Sequence, residues 1–177
     1  AVTRQMKYRQ TPHHLFNSNL QARPQNAGAI WRTLCWVNDQ VAISGDLSDF
    51  DSEALVQLNE WIDQGITDII DLRGEASHER FVAQHAPHIR YHWLGVDDEG
   101  DRRSDEWFEA IEAAAQLVLQ DPSRKAVIHC HMGVNRGPSA AFTALITHGV
   151  DPIQALTQIR SARPVAAILY SFDAVQW

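Results

Sequence analysis

The stretch His129-Cys130-His131-Met132-Gly133-Val134-Asn135-Arg136 sets a thiol and a guanidinium six positions apart across a tight loop, and a helix opens at about Gly137-Pro138. That pattern suits an oxyanion. Successive backbone N–H groups in such a turn converge as a nest, the helix N-terminus adds partial positive charge, and the planar fork of Arg136 can grip two oxygens. The candidate donors are the amides of His131, Met132, Gly133, Val134, Asn135 and Arg136, with Gly133 letting the backbone turn closely around the anion. The same field favours the charged form of the Cys130 sulfur, which makes Cys130 the candidate nucleophile. A thiolate facing a phosphoryl group can attack phosphorus in line and form a cysteinyl-phosphate, dividing one difficult hydrolysis into two steps. The leaving oxygen then needs a proton from a nearby acid.

The elements that must hold this loop follow from residue periodicity. Ala126 to Cys130, with Val127 and Ile128 at its centre, has the character of a buried strand, and Pro138 to His148 reads as a small-residue helix stopped by Gly149. Upstream, Ala29 to Val37 and Gln40 to Ser44 carry strand-like residues broken at the turn pair Asn38-Asp39, which predicts a short hairpin. A helix is expected from Asp51, with Leu55, Leu58 and Ile62 on its apolar face and Gly65 as terminator, followed by a buried strand over Ile66 to Leu72. Ala76 to His85 predicts a short helix ended by Pro87, and Ile89 to Val96 a strand with Tyr91 and Trp93 on one face. Beyond the polar loop Asp97 to Arg103, Ser104 with Asp105 and Glu106 starts a helix whose buried stripe is Phe108, Ile111, Ala115 and Val118. Asp151-Pro152 opens another helix, and a last one is expected after Pro164. Strands alternating with helices predict an α/β fold with a mostly parallel central sheet flanked by helices on both faces. Ligands of such sheets bind beyond the carboxyl ends of strands, which is where Cys130 stands.

A chain of 177 residues suits one domain. Residues 1–30, rich in Gln, Asn, Arg, Pro and His with no sustained apolar period, read as an N-terminal arm or loop, and 31–177 as the single domain. A hydrophobic fraction of 45% and a charged fraction of 21% exclude a disordered or fibrous chain. The apolar stretches are too short for membrane insertion. The net charge of −7 opposes binding to nucleic acid or to an anionic membrane surface, so an anionic substrate needs a locally positive pocket. Two cysteines, Cys35 and Cys130, make no disulfide framework, and with no apparent signal segment the expected location is cytoplasmic. The remaining histidines lack metal-ligand spacing: His13-His14 lies in the arm and His85-Ala86-Pro87-His88 straddles a helix breaker. No metal and no cofactor is expected.

The pattern H-C-x2-G-x2-R after a buried strand resembles the signature of the cysteine-dependent protein tyrosine phosphatases. The dual-specificity branch fits best, because it is the smaller one and because Gly65-Ile66-Thr67-Asp68-Ile69-Ile70-Asp71-Leu72-Arg73 resembles the strand that often precedes its acid loop. The resemblance spans roughly residues 40–177. It implies a tyrosine-phosphatase-like fold, with 31–177 as a dual-specificity phosphatase-like catalytic domain and no cofactor. It implies hydrolysis of phosphomonoesters, phosphotyrosine first and phosphoserine or phosphothreonine second, in a phosphorylated protein or a small substrate. Cys130 is then the nucleophile and Arg136 the phosphate clamp. The family places a general-acid Asp about thirty residues before the cysteine, in a pattern like Val-Glu-Asp followed by an aromatic pair. Here Val96-Asp97-Asp98 precedes Trp107-Phe108, and Asp98, the last of the triplet and 32 residues before Cys130, takes that role, with Asp97 and Asp101 as alternatives. Two departures stand out. Gly137 replaces the Ser or Thr whose hydroxyl stabilises the departing sulfur, which implies slow breakdown of the cysteinyl-phosphate unless Ser139 or a water substitutes. Near Arg163-Pro164 the family's helix-linking Asn is not evident, which leaves the bracing of the loop unassigned.

Other readings share these residues. A phosphoinositide or phosphoglucan substrate is one, although a loop without Lys suits a singly phosphorylated protein better than a polyphosphorylated inositol. A weakly active phosphate-binding module, in view of Gly137, is a second, and a redox or sulfur-transfer protein using Cys130, with Cys35 as redox partner, is a third. His129 is expected to orient the loop from its buried side, and His131 to give its backbone N–H, with a ring contact to substrate as the alternative. Arg73, Arg102 and Arg103 either border the pocket or serve as salt-bridge partners. The six tryptophans mostly fall on candidate core faces, and an exposed pair could stack on a sugar.

Overall fold

In the computed structural model, which describes residues 31–177, Asn38 turns the chain with its own side chain. Its Oδ1 accepts the N–H groups of Gln40 at 2.9 Å and Val41 at 2.8 Å, folding β1 (Cys35–Trp36) antiparallel onto β2 (Val41–Ser44). The hairpin is as expected but its first strand is far shorter, and Ala29 and Ile30, like the arm over 1–30, lie outside the described residues. The sheet runs β1-β2-β5-β3-β4, with β3 (Asp68–Arg73), β4 (Arg90–Val96) and β5 (Ala126–His129) parallel to β2. Six helices complete it among the described residues: α1 (Asp51–Asp63), α2 (Glu79–His85), α3 (Asp105–Leu119), α4 (Arg136–Thr147), α5 (Pro152–Ala162) and α6 (Ser171–Gln176). None is long and apolar enough to cross a membrane.

Alternation along the strands divides the core in two. Val41, Ile43, Ile70, Leu72 and Ile128 pack against α3, α4, α5 and α6, while Ile69 and Val127 point the other way, onto α1 and α2. Buried on both faces, β2 and β5 read as nearly continuous apolar runs rather than alternating ones. On α1 the deepest residues are Ala54, Leu58 and Trp61, with the expected Leu55 and Ile62 only half-buried, because the large indole of Trp61 takes the central place under the sheet. Of the tryptophans, Trp61 and Trp107 are buried, Trp31, Trp36 and Trp177 are half-buried, and Trp93 is exposed. The core reading therefore holds for Trp61 and Trp107, with Trp36 and Trp177 packed against the core from its edges. The helix starts follow their caps: Ser104 Oγ accepts from Trp107 N at 3.3 Å, and Asp151 Oδ2 from Ile153 N at 3.1 Å, with Pro152 in the first turn. After Pro164 the chain makes turns instead of a helix, and α6 begins only at Ser171. Within those turns Ile168 adopts a φ of 55°, a strained value for a β-branched residue.

β3 is less apolar than its sequence suggests, since Asp68, Asp71 and Arg73 are all buried. Asp68 accepts hydrogen bonds from Arg124 Nη2 at 2.6 Å, Arg124 Nε at 3.1 Å and Thr67 Oγ1 at 2.7 Å, and lies 2.9 Å from His92 Nε2. Burial works to raise the Asp68 pKa, but the hydrogen bonds of His92, Arg124 and Thr67 outweigh it and hold the carboxyl below the ordinary range. A carboxyl depressed in the folded state stabilises the fold above its unfolded pKa, and that contribution is lost as pH falls toward the folded value. Asp68→Asn is expected to cost about 2–4 kcal/mol at neutral pH and to flatten the loss of stability below about pH 4. Urea midpoints across an acid series check this; a variant as acid-sensitive as the parent contradicts it.

Candidate active site

The turn that leaves β5 at His129 and enters α4 at Arg136 is anchored through its carbonyl groups. His131 O accepts from Asp46 N at 2.9 Å, Met132 O from Arg163 Nη2 at 3.0 Å, Gly133 O from Arg163 Nε at 2.7 Å, and Val134 O from Ala167 N at 2.7 Å. In a trans peptide the next N–H points opposite to each carbonyl, so anchoring these four turns the amides of Met132, Gly133, Val134 and Asn135 to the other side of the loop. That is a nest of donors at the start of a twelve-residue helix. His129 supports it from within: its ring Nδ1 lies 3.1 Å from Cys130 O, and because a carbonyl only accepts, Nδ1 carries the proton. Burial lowers the His129 pKa, against the nearby Asp71 carboxylate, and keeps the ring neutral.

Arg163 is what braces the loop where no linking Asn stands. The side chain is buried and spends all five N–H groups: besides the two loop carbonyls it reaches Trp31 O at 2.6 Å, Thr33 O at 3.0 Å and Cys35 Sγ at 3.4 Å. Gly133 is also required behind the loop. With a φ of 66°, a Cβ there would lie 2.6 Å from Arg163 Nη2 and 2.7 Å from Ser44 O, so the brace behind the loop leaves no room for a side chain.

Arg136 is 5% exposed, yet its guanidinium is only partly satisfied. Nη1 donates to Glu75 Oε2 at 2.6 Å and to Val96 O at 2.9 Å, and Nη2 donates to Glu75 Oε1 at 2.8 Å. Three of five N–H groups are thereby used, and Nε is buried without a hydrogen-bond partner. The free Nε–H and the second Nη2–H share one edge of the planar fork, the edge that can hold two oxygens of a tetrahedral anion. Burial works to lower the Arg136 pKa, while Glu75, Cys130 and Asp98 raise it further and leave it permanently charged. Arg136 in turn draws the Glu75 carboxyl below its ordinary pKa.

Asp98 lies beside that edge, its Oδ2 3.8 Å from Arg136 Nε. Its Oδ1 accepts from Asn135 Nδ2 at 2.7 Å and from Tyr170 OH at 3.3 Å. Asp97 points elsewhere: Glu99 N donates to its Oδ1 at 3.2 Å and Arg103 Nη2 at 3.1 Å, and these bonds, the backbone one foremost, lower its pKa. Arg103 also holds Asp97 O and Asp101 O, so it folds this loop rather than bordering a pocket. Arg73 is buried behind the sheet end with Asp71 and Asp46, and Arg102 is exposed. The His131 ring contacts Asp46 Oδ2 at 2.7 Å and the edge of Trp31. Ser139 is not a substitute for the missing hydroxyl: its Oγ donates to Asn135 Oδ1 at 3.2 Å and accepts from Tyr170 N at 3.2 Å. A Cβ at Gly137 would meet nothing closer than 3.4 Å, the nearest atom being Cys130 N.

Over Arg136 opens a cleft of about 750 Å³ bordered by Glu75, Trp93, Asp97, Asp98 and Glu99. Trp93 lies against Gly95 and donates its indole N–H to Arg73 O at 2.7 Å, fixing an aromatic wall. The two cysteines stay apart. Cys35 pairs across to Ile43 and Ile43 to Ile128, two strand spacings or about 10 Å, with Cys130 two residues farther on, whereas a disulfide needs Cα atoms within about 7 Å. Sequence reasoning did not find Glu75, Tyr170, Arg163 or the side-chain role of Asn135. Glu75 follows the carboxyl end of β3, the place that ligand sites of parallel sheets favour, and could have been found by that rule.

No protein-family model matches the sequence, and no curated protein matches it. Solved structures do. A mouse protein described as a dual-specificity phosphatase, crystallised with zinc tungstate, superposes with a TM-score of 0.67 at 20% identity over 87% of this chain and 91% of its own. Human DUSP28 gives 0.62 at 18% identity over 81% and 90%. PTPMT1 in complex with PI(5)P gives 0.61 at 15% identity over 81% and 94%. The fold is that of the cysteine-based tyrosine and dual-specificity phosphatases.

Proposed function

We propose that this chain, built on the tyrosine and dual-specificity phosphatase fold, hydrolyses phosphomonoesters through a cysteinyl-phosphate on Cys130. The observation that carries the reading is the buried Arg136 guanidinium, held end-on by Glu75 with the Nε edge left open beside a nest of amides. A phosphoryl group fits between them, two oxygens on Arg136 and the others on the amides of His131, Met132, Gly133, Val134, Asn135 and Arg136. These donors stand in place before charge builds on the equatorial oxygens, which is the condition for stabilising the transition state. In the first step the Cys130 sulfur bonds to phosphorus, the bond to the leaving oxygen breaks, and the proton on Asp98 passes to that oxygen. In the second step Asp98 takes a proton from water, the water oxygen bonds to phosphorus, and the sulfur leaves as thiolate.

The acidic rim selects the substrate. Glu75, Asp97, Asp98 and Glu99 border the cleft, so a headgroup with several phosphates would bring extra dianions against carboxylates. A singly phosphorylated side chain of a protein, with the ring of phosphotyrosine against Trp93, avoids that cost. A singly phosphorylated lipid is the second reading, favoured by the similar fold of PTPMT1, which holds PI(5)P. Hydrolysis of para-nitrophenyl phosphate that persists in chelator tests the reaction, and phosphotyrosine peptide set against PI(5)P tests the substrate. Turnover that needs added metal contradicts the mechanism.

Gly137 has a measurable consequence. With Ser139 engaged elsewhere, no side-chain hydroxyl among the described residues is bonded to the sulfur, while a Cβ at Gly137 would make only ordinary contacts. Gly137→Ser is expected to raise kcat several-fold, about 1 kcal/mol of barrier, where breakdown limits turnover. Stopped-flow assays should show the pre-steady-state burst shrink in the variant; an unchanged burst and kcat refute the assignment.

A further inference from the structure

We infer that Asn135 positions the general acid, pinning one oxygen of Asp98 so that the other carries the proton toward the leaving group; this rests on the proposed acid role of Asp98. Asn135 is 5% exposed and its amide is bonded at both ends. Its Oδ1 accepts the N–H of Leu169 at 2.7 Å and the hydroxyl of Ser139 at 3.2 Å. A backbone N–H can only donate, so the Leu169 bond settles which end of the amide is oxygen and directs the NH2 end at Asp98. That end meets Asp98 Oδ1 at 2.7 Å.

The consequence is an asymmetric carboxyl group. Oδ1 receives the Asn135 N–H and, at 3.3 Å, the Tyr170 hydroxyl, whose own oxygen accepts from Gly100 N at 3.2 Å. With two donors aimed at Oδ1, the proton of the neutral acid belongs on Oδ2, the oxygen that stands 3.8 Å from Arg136 Nε and therefore beside the anion edge. Asp98 sits on a loop with its side chain 42% exposed, so without these donors it would be free to turn its proton away. A small misplacement of a proton donor is costly when its transfer is part of the barrier. Asn135 is also the last loop residue before α4, so the amide that faces the anion and the side chain that holds the acid belong to one residue, and binding and protonation geometry are set together. The Leu169 bond follows directly on the strained Ile168, as the Ala167 N to Val134 O bond precedes it, which fixes the far anchor of Asn135.

The test compares two esters in the full chain: phenyl phosphate, whose leaving group has a pKa of about 10 and needs a proton, and 2,4-dinitrophenyl phosphate, whose leaving group departs without one. Asn135→Ala is expected to lower kcat/KM by roughly tenfold or more on phenyl phosphate and by a several-fold smaller factor on the dinitrophenyl ester. In an Asp98→Ala background the same substitution should lose most of its effect on phenyl phosphate, as residues acting through one another do. Tyr170→Phe, which removes one hydroxyl and leaves the turn from Cys130 to Arg136 intact, should show the same split at smaller size, and it keeps the test open where Asn135→Ala folds poorly. Equal losses on both esters, or a loss that persists undiminished without Asp98, overturn the inference. A parent protein that turns over neither ester overturns the phosphatase reading itself.

Discussion

Cys130→Ser is expected to lower kcat for para-nitrophenyl phosphate by more than about 10⁴-fold while phosphotyrosine peptide still binds. A serine hydroxyl at neutral pH is almost wholly protonated, and a base is required to activate it. The loop supplies donors instead. His129, the nearest imidazole in sequence, is committed by Nδ1 to the Cys130 carbonyl, and its pKa is lowered by burial. The donors proposed to hold the phosphoryl group, the Arg136 edge and the loop amides, do not involve the sulfur, so affinity should survive the substitution. Binding and turnover measured together separate this account from that of a phosphate-binding module. In a module, the parent would already bind without turnover and the substitution would change neither.

Arg136→Lys should lower kcat/KM by roughly 10³-fold, with KM and kcat both affected. An ammonium is a single point of charge, whereas Arg136 bonds Glu75 and Val96 O and, as the proposed clamp, an anion along three directions of one plane. Lysine at this position would fall to Glu75 and leave the phosphoryl oxygens facing amides alone. The change should not be repaired by raising pH, because both side chains remain charged through neutrality. Steady-state kinetics on both variants, with thermal unfolding to verify folding, decide it; a loss of only a few-fold contradicts the clamp.

The parts of this site that the sequence made legible are those built from neighbouring residues. Cys130, Arg136 and the intervening glycine lie within one turn, and their spacing alone implies a strand, a nest and a helix start. The α/β layering was equally open to reading, since β3 and β5 each carry a short apolar centre, Ile69-Ile70 and Val127-Ile128, and Ser104, Asp151 and Gly65 mark helix ends. What escaped was everything that depends on distant partners. Glu75 meets Arg136 from 61 residues away, Arg163 reaches the loop across 30, and Tyr170 reaches Asp98 across 72. Arg163 illustrates the reason. A buried arginine is costly unless each N–H finds an acceptor, and only the folded chain shows that five acceptors converge there. Arg163 therefore reads from sequence as an ordinary cation at a helix end, just where a linking Asn was sought.

Phe50 and Trp93 mark a second limit. Both are large and apolar, yet Phe50 is 70% and Trp93 50% exposed, and composition assigns such side chains to the core. Trp93 is held outside because its N–H is tied to Arg73 O and its ring covers Gly95, a position where any side chain would collide. The resulting wall faces the cleft over Arg136.

The central claim, a covalent bond between Cys130 and phosphorus, is tested most directly by rapid acid quench of the protein during turnover, followed by mass mapping. The account predicts one added phosphoryl group on the peptide bearing Cys130, abundant in the parent because Gly137 leaves its breakdown unassisted, and scarcer in Gly137→Ser. Sustained turnover with Cys130 unmodified at every quench time would contradict it.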